Sequence, residues 1–387
     1  MRMATAARQM LEERLLPFWT KLKDEEFGGF YGYMDFDLNL DRQAVKGCIL
    51  NSRILWFFSE AAMALKSDVA RDCADHAWRF LREKCYDAQN GGLFWSVTYD
   101  GRPEDTTKHT YNQAFGIYAL ASYYRLTGCA EALTLARQLY EVIETRCKDE
   151  GGYLEAFTAD WRPESNEKLS ENGVMADRTM NTLLHVFEGY SGLYQATRDP
   201  AVGAALRQML DIYADKVFDP VKNRQRVFFD YDYNELIDLH SYGHDIESSW
   251  LIDWGAGLLG DAALSARIAD IDSRLAENIY QRAYRDHSLL NECERGVDNT
   301  SRIWWVQAEA VLGFVNAWKK TGDEKYLDAA KDIWGYIEEK LTDARTGEWF
   351  WELDADGRPS SRKPIVEPWK CPYHNGRMCL KIMAMDI

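Results

Sequence analysis

Gly91-Gly92-Leu93-Phe94-Trp95, followed fourteen residues later by His109-Thr110-Tyr111-Asn112-Gln113-Ala114-Phe115, decides how the chain is read. The glycine pair marks a turn, the aromatics behind it anchor that turn, and a long apolar segment with helical spacing begins at His109. The same order recurs from Gly28-Gly29-Phe30-Tyr31-Gly32, Gly151-Gly152-Tyr153 and Gly347-Glu348-Trp349-Phe350-Trp351. Weaker versions stand at Val227-Phe228-Phe229-Asp230 and Leu289-Leu290-Asn291. The six starts, at 28, 91, 151, 227, 289 and 347, are 63, 60, 76, 62 and 58 residues apart. Near-equal spacing of this kind is the mark of a repeat architecture.

The apolar segments begin near Gly47, His109, Arg178, His240, Ser301 and Pro372. They are rich in Ala, Leu, Trp and Phe on every side, which predicts buried helices. Amphipathic segments alternate with them, near 4–22, 69–85, 131–147, 203–217, 262–282 and 325–341, and their charged faces predict outer helices. The chain is therefore expected to be all-α: six helix pairs, either an open array or a closed (α/α)6 barrel forming one domain over 1–387. The closed ring is favoured by what sits at the starts of the inner helices.

Polar groups cluster there in every repeat: Asn51 and Arg53; His109, Tyr111, Asn112 and Gln113; Arg178, Asn181 and His185; His240, His244 and Glu247; Arg302, Trp304, Trp305 and Glu309; Tyr373, His374, Asn375 and Arg377. One such cluster is ordinary capping. Six in parallel would ring one mouth of a barrel, where helix N-termini add positive potential. Of the seven His, only His76 and His287 fall outside these clusters.

Composition narrows the function. The 387 residues carry 46 Lys and Arg against 62 Asp and Glu, a net charge of −16. Nucleic acid and anionic membranes would repel such a chain. No apolar run approaches the ~20 residues that span a bilayer. The 14 Trp, 21 Tyr and 16 Phe suit either a core or a cleft that stacks sugar rings. The eight Cys form no C-x-x-C pair, and Met1–Leu16 lacks the apolar stretch of a leader. A cytoplasmic protein with reduced thiols, monomeric and acting on a small molecule, is the expectation.

Each candidate has a plainer reading beside it. His244 and Glu247, three apart on one helix face, suit an oriented general acid/base or equally a structural pair. His374, one turn after Pro372, is a second acid/base or a helix cap. Asn181 and His185 could hold sugar hydroxyls or be satisfied core residues. Arg53 enters an apolar helix, so it needs an anion: a developing oxyanion or an Asp. Trp304, Trp305 and Trp369 could stack sugars, though at least one belongs in the core. Glu309 is a further carboxylate at the mouth. Gly255-Ala256-Gly257-Leu258-Leu259-Gly260 spells a dinucleotide fingerprint, but it ends a helix instead of opening one. Cys371-x-x-His374 with Cys379 lacks a second ligand pair, so no metal is expected.

Five stretches together carry a resemblance. They are Lys46-Gly47-Cys48-Ile49-Leu50-Asn51-Ser52-Arg53-Ile54-Leu55-Trp56, His109–Phe115, His240-Ser241-Tyr242-Gly243-His244-Asp245-Ile246-Glu247, Trp304-Trp305-Val306-Gln307-Ala308-Glu309-Ala310 and Glu367-Pro368-Trp369-Lys370-Cys371-Pro372-Tyr373-His374-Asn375-Gly376-Arg377-Met378. In this order, over nearly the whole chain, they resemble the cellobiose 2-epimerases of the N-acylglucosamine 2-epimerase superfamily. The resemblance implies an (α/α)6 barrel and cofactor-free epimerisation at C2 of the reducing-end sugar of β-1,4-linked disaccharides. It implies His244 and His374 as acid/base catalysts, Glu247 as support for His244, and Arg53 near the reacting oxygen. Tyr111, Asn181, His185 and Trp305 would surround the reducing-end sugar. Trp369 would stack the second sugar, with Glu292 as its acidic partner. Other isomerases of the superfamily, aldose–ketose or monosaccharide 2-epimerase, and glycoside hydrolases on the same barrel remain the alternatives.

Overall fold

The structure is a computed structural model that describes residues 2–385 and residue 387. Five inner helices have the same length of 18 residues: Cys48–Leu65, Thr110–Thr127, Met180–Thr197, Tyr242–Leu259 and Trp304–Thr321. The sixth, His374–Met383, is shorter. Each of the first five packs against the outer helix that follows it, and the sixth packs against the N-terminal helical segment that begins at Met3. The inner helices also touch in cyclic order, with the sixth reaching back to the first. The ring therefore closes: this is the (α/α)6 barrel, and the open array is excluded.

The two ends of the barrel differ. At one end each of the first five inner helices turns into its outer partner through two residues. The first turn residue is left-handed, Gly260 for example at φ 67°, and the fingerprint-like glycine run is thus a helix end. The second caps the outer helix, as Ser67, Asp199, Asp261 and Asp323 do by accepting from backbone N–H groups one turn on. At the other end lie the long loops that carry the glycine–aromatic signatures, and these surround the starts of the inner helices.

The loops contain structure that an all-α reading missed: strands of two or three residues. The strand leading into each of the first five inner helices pairs with the loop of a neighbouring repeat. Lys46–Gly47 pairs with Ser96–Val97, Lys108–His109 with Ala156–Phe157, Arg178–Thr179 with Phe228–Phe229, Leu239–Ser241 with Glu292–Glu294, and Arg302–Ile303 with Glu352–Leu353. Runs this short leave no period-2 signal to read.

The polar residues at the helix starts divide into two sets. Asn51, Gln113, Asp245 and Gln307 each occupy the fourth residue of an inner helix and accept from a loop N–H, of Phe30, Leu93, Gln225 and Leu289 respectively. Gln113 and Gln307 also donate back to the carbonyls of Leu93 and Leu289. In the first two signatures the second glycine, Gly29 or Gly92, makes room for this clamp. A Cβ on Gly92, at φ 78°, would stand 2.5 Å from Trp161 and 3.1 Å from the Gln113 amide oxygen. These residues, with Asn112 and Asn375, fasten loops and do not face a ligand.

Removing one clamp leaves a buried N–H and C=O unpaired at ~1–3 kcal/mol each. Gln307→Leu is therefore expected to lower unfolding stability by about 2–6 kcal/mol. Urea titration at neutral pH would read it, and a midpoint unmoved from the parent's would refute the clamp.

Candidate active site

Inside the signature-bearing end lies a cavity of about 400 Å³. Eleven of the twelve residues expected at the site line it: Arg53, Tyr111, Asn181, His185, His244, Glu247, Glu292, Trp304, Trp305, Trp369 and His374. Glu309, the twelfth, lies beneath it and is fully buried.

His244 and His374 approach from the fourth and sixth inner helices, with the Trp305 ring between them at 4.8 and 5.4 Å. Each ring is held through Nδ1. His374 Nδ1 meets Glu309 Oε1 at 2.7 Å, and His244 Nδ1 meets Ser241 Oγ at 2.7 Å. Neither Nε2 has a hydrogen-bond partner among the described residues. Burial pushes His244 down to about 3, with His185 nearby adding to the effect. Burial also holds His374 well below the ordinary imidazole value, and the charges of Arg377 and Arg53 lower it further. Both rings are therefore neutral in the free protein.

Glu247 does not support His244. Its Oε1 pairs with Arg377 at 2.5 Å and lies 4.0 Å from His374 Nδ1, on the other histidine. Its Oε2 is buried without a partner. The three-residue spacing that suggested a His–Glu pair is instead realised at His185, whose Nδ1 meets Glu188 Oε2 at 2.9 Å. Glu188 had the same sequence signal as Glu247 and was missed. It also accepts from Tyr373 and Arg377. The guanidinium of Arg377 gathers Glu188, Glu247 and Glu309 at once, which decides where Glu247 points. Glu309 additionally accepts from Trp250 Nε1 at 2.9 Å. Glu247, Glu309 and His374 offer ligand atoms within 4.8 Å of one another. Arg377 already supplies the positive charge at that spot.

Arg53 is the opposite case. It is 2 % exposed and has no carboxylate partner among the described residues. One guanidinium nitrogen donates to Tyr111 Oη at 2.8 Å, another reaches the Trp369 carbonyl at 3.5 Å, and Nε has no partner. Its carbon lies 4.2 Å from the Phe115 ring centre and 4.8 Å from that of Tyr373. A guanidinium desolvated by aromatic faces and left unneutralised awaits negative charge from a ligand. Asn181 Oδ1 and Trp304 Nε1 are buried without partners as well, so the cavity wall offers an acceptor and a donor. Trp304 is nonetheless core-like, at 3 % exposure against Trp351.

Towards the mouth, Trp369 stands edge-on to Trp95 and Tyr111. Glu292 lies in a strand rather than a loop, opposite Ser241. Burial raises its carboxyl, and Asn299 and Asn172 temper the rise. Lys168, Glu171 and Lys363 share this rim and were not singled out from sequence. His109 and His240 do not line the cavity: His109 stands at the N-cap position of its helix without a capping hydrogen bond, and His240 Nε2 meets Asp245 at 2.8 Å. Arg178 and Arg302 are likewise structural, bonded to Asp149 and Ser288.

The chain matches the family model of the N-acylglucosamine 2-epimerases over residues 29–375. It is 52 % identical to the cellobiose 2-epimerase of Eubacterium cellulosolvens, over 98 % of both chains. A solved sugar epimerase from a ruminal bacterium superposes with a TM-score of 0.98 at 48 % identity, covering 100 % of both chains. That of cellobiose 2-epimerase from Bacillus thermoamylovorans gives 0.95 at 45 % identity, over 98 % of each. The protein is thus an epimerase, an enzyme of the isomerase class. It belongs to the N-acylglucosamine 2-epimerase family.

Losing one partner of a buried ion cluster costs ~3–5 kcal/mol, because the others are left uncompensated. Arg377→Leu should destabilise the fold by about that amount at pH 8. The three carboxyls would then titrate above their unfolded values, so the folded state would bind the extra protons. The deficit should shrink as pH falls towards 5.5, as read by urea unfolding at both pH values. An equal deficit at both would contradict this charge balance.

Proposed function

We propose that the enzyme inverts C2 of the reducing-end glucose or mannose of β-1,4-linked disaccharides such as cellobiose, lactose and mannobiose. The observation that carries this reading is two neutral histidines on different helices, each anchored through Nδ1 and each leaving Nε2 free in one cavity. C2–H is acidic only beside a C1 carbonyl, so the ring must open first. One group takes the anomeric hydroxyl proton while another protonates the ring oxygen. One imidazole then removes the C2 proton to give a planar cis-enediolate. The other, protonated by the anomeric hydroxyl proton it took up on ring opening, returns a proton to the opposite face, and the ring recloses as the first imidazolium gives its proton to the anomeric oxygen.

The residues fit these roles. A neutral Nε2 is a competent base, and Glu309 on Nδ1 favours the tautomer in which His374 Nε2 carries the lone pair. Ser241 can donate to or accept from His244 Nδ1, so that ring can present either tautomer. As negative charge grows on the enediolate, it raises the affinity of the nearby rings for a proton. Arg53 with Tyr111 supplies the fixed positive charge that stabilises the enediolate oxygen. Asn181, His185 and Trp305 would contact the reducing-end sugar, and Trp369 with Glu292 the second sugar near the mouth.

Incubation with cellobiose in D2O, followed by NMR, tests the reading. Glucosyl-mannose carrying deuterium at C2 is expected. Ketose labelled at C1 would mean aldose–ketose isomerisation, and free glucose would mean hydrolysis. His244→Ala and His374→Ala should each lower kcat by ~10²–10⁴-fold while circular dichroism stays that of the parent. Near-normal turnover by either variant would remove that ring from the reaction.

The lowered imidazole values set the pH dependence. A depressed value keeps the base unprotonated as pH falls through 6.5. The acid limb of kcat/KM should therefore lie well below 6.5. A limb at the ordinary imidazole value would show that neither buried ring is the titrating base.

A further inference from the structure

The last inner helix carries His374, Arg377 and Lys381 at spacings of three and four, so they share one face that runs down the barrel axis. His374 faces the active cavity, and Arg377 holds the carboxylate cluster beneath it. Lys381 reaches a second cavity, of about 360 Å³, at the opposite end of the barrel. Its walls come from five inner helices and include Trp56, Glu60, Tyr118, Arg125, Gln195 and Trp254. None of these residues lines the active cavity.

The charge of this lining is unusual for the chain that bears it. Overall the protein carries −16, yet the wall presents Arg125, Arg377 and Lys381 against Glu60. Glu60 is already spent: it pairs with Arg125 at 2.9 Å and accepts from Ser122. Arg377 is engaged with the three carboxylates on its other side, but its Nε is buried without a partner. Lys381 has no hydrogen bond or ion pair among the described residues. Its ammonium rests on the faces of Trp250 and Trp254, at 5.0 and 4.9 Å from their centres. Burial and the charge of Arg377 lower it to about 8. A partly buried ammonium whose three N–H groups lack an acceptor is costly unless a ligand supplies one.

We propose that this far-end cavity is a binding site for a small oxyanion, a phosphate or a carboxylate, held by the Lys381 ammonium. The two indole faces fix the ammonium, the cavity has room for a small polyatomic anion, and Gln195 supplies a further polar group on the wall. The site is independent of the sugar chemistry assigned above, and neither stands or falls with the other.

Calorimetric titration of the full chain with inorganic phosphate, and separately with malonate, tests it. Saturable binding of at least one anion is expected, and which one binds distinguishes the two sources. Lys381→Met, which keeps the stem and removes the charge, should weaken that binding at least tenfold. As a check that needs no variant, labelling of Lys381 by an amine-reactive ester at pH 8 should slow when the bound anion is saturating. Absence of saturable binding by both anions would overturn the proposal, and Lys381 would then serve only to offset the carbonyl ends of the inner helices. Unchanged affinity in Lys381→Met, or an unchanged labelling rate, would overturn it too.

Discussion

The guanidinium of Arg377 is the constraint on which the interior depends. It extends from the sixth inner helix and pairs with Glu188 of the third, Glu247 of the fourth and Glu309 of the fifth. Four of the six inner helices are thereby tied across the barrel axis at one point. Three carboxylates and one guanidinium leave an excess of negative charge in a region without water contact. Burial answers that excess by raising Glu247 and Glu309, while Arg377 and His185 outweigh burial at Glu188 and bring it to about 2. The favoured state therefore keeps Glu188 ionised and lets the Glu247–Glu309 pair hold a proton. The cluster matters to the cavity above it because Glu309 also fixes His374.

Two buried arginines then play opposite parts. Arg377 is saturated with carboxylates and organises the barrel. Arg53 has none, and its charge is spread over aromatic faces and one tyrosine hydroxyl. An uncompensated charge at 2 % exposure is a standing cost to the fold. Such a cost is tolerated at a site whose ligand brings the missing negative charge, as the enediolate of the proposed reaction would. Stabilisation that strengthens along the reaction lowers the barrier, whereas an Asp in the same place would spend the charge beforehand.

Much of this was legible in the sequence. The repeat of glycine turn, aromatic anchor and apolar helix gave the barrel, because helical periodicity survives over 18-residue segments. The cluster of polar residues at the helix starts gave the mouth and most of its lining. Other features were not legible, for identifiable reasons. Strands of two residues have no period. Polar residues in the first turn of an inner helix point either into the cavity, as Asn181 does, or back onto a loop, as Gln113 does. Spacing alone does not separate the two. The Glu247 partner was misassigned because three-residue spacing puts side chains on the same face but says nothing of a competing charge 130 positions away.

That misassignment carries a lesson about the two histidines. Were each supported by its own carboxylate, they would be chemically alike. Instead His374 leans on Glu309, a carboxylate embedded in a charge cluster, and His244 leans on the hydroxyl of Ser241. A carboxylate accepts from Nδ1–H and so fixes one tautomer, while a hydroxyl has both a donor and an acceptor to offer. The ring on Glu309 is therefore pre-set, and the ring on Ser241 is free to adapt. Inversion at one carbon requires a proton to leave by one face and return by the other, in either direction. In the proposed reaction the pre-set ring would take the C2 proton in one direction and, as the imidazolium so formed, return it in the other, with the ring on Ser241 as its counterpart.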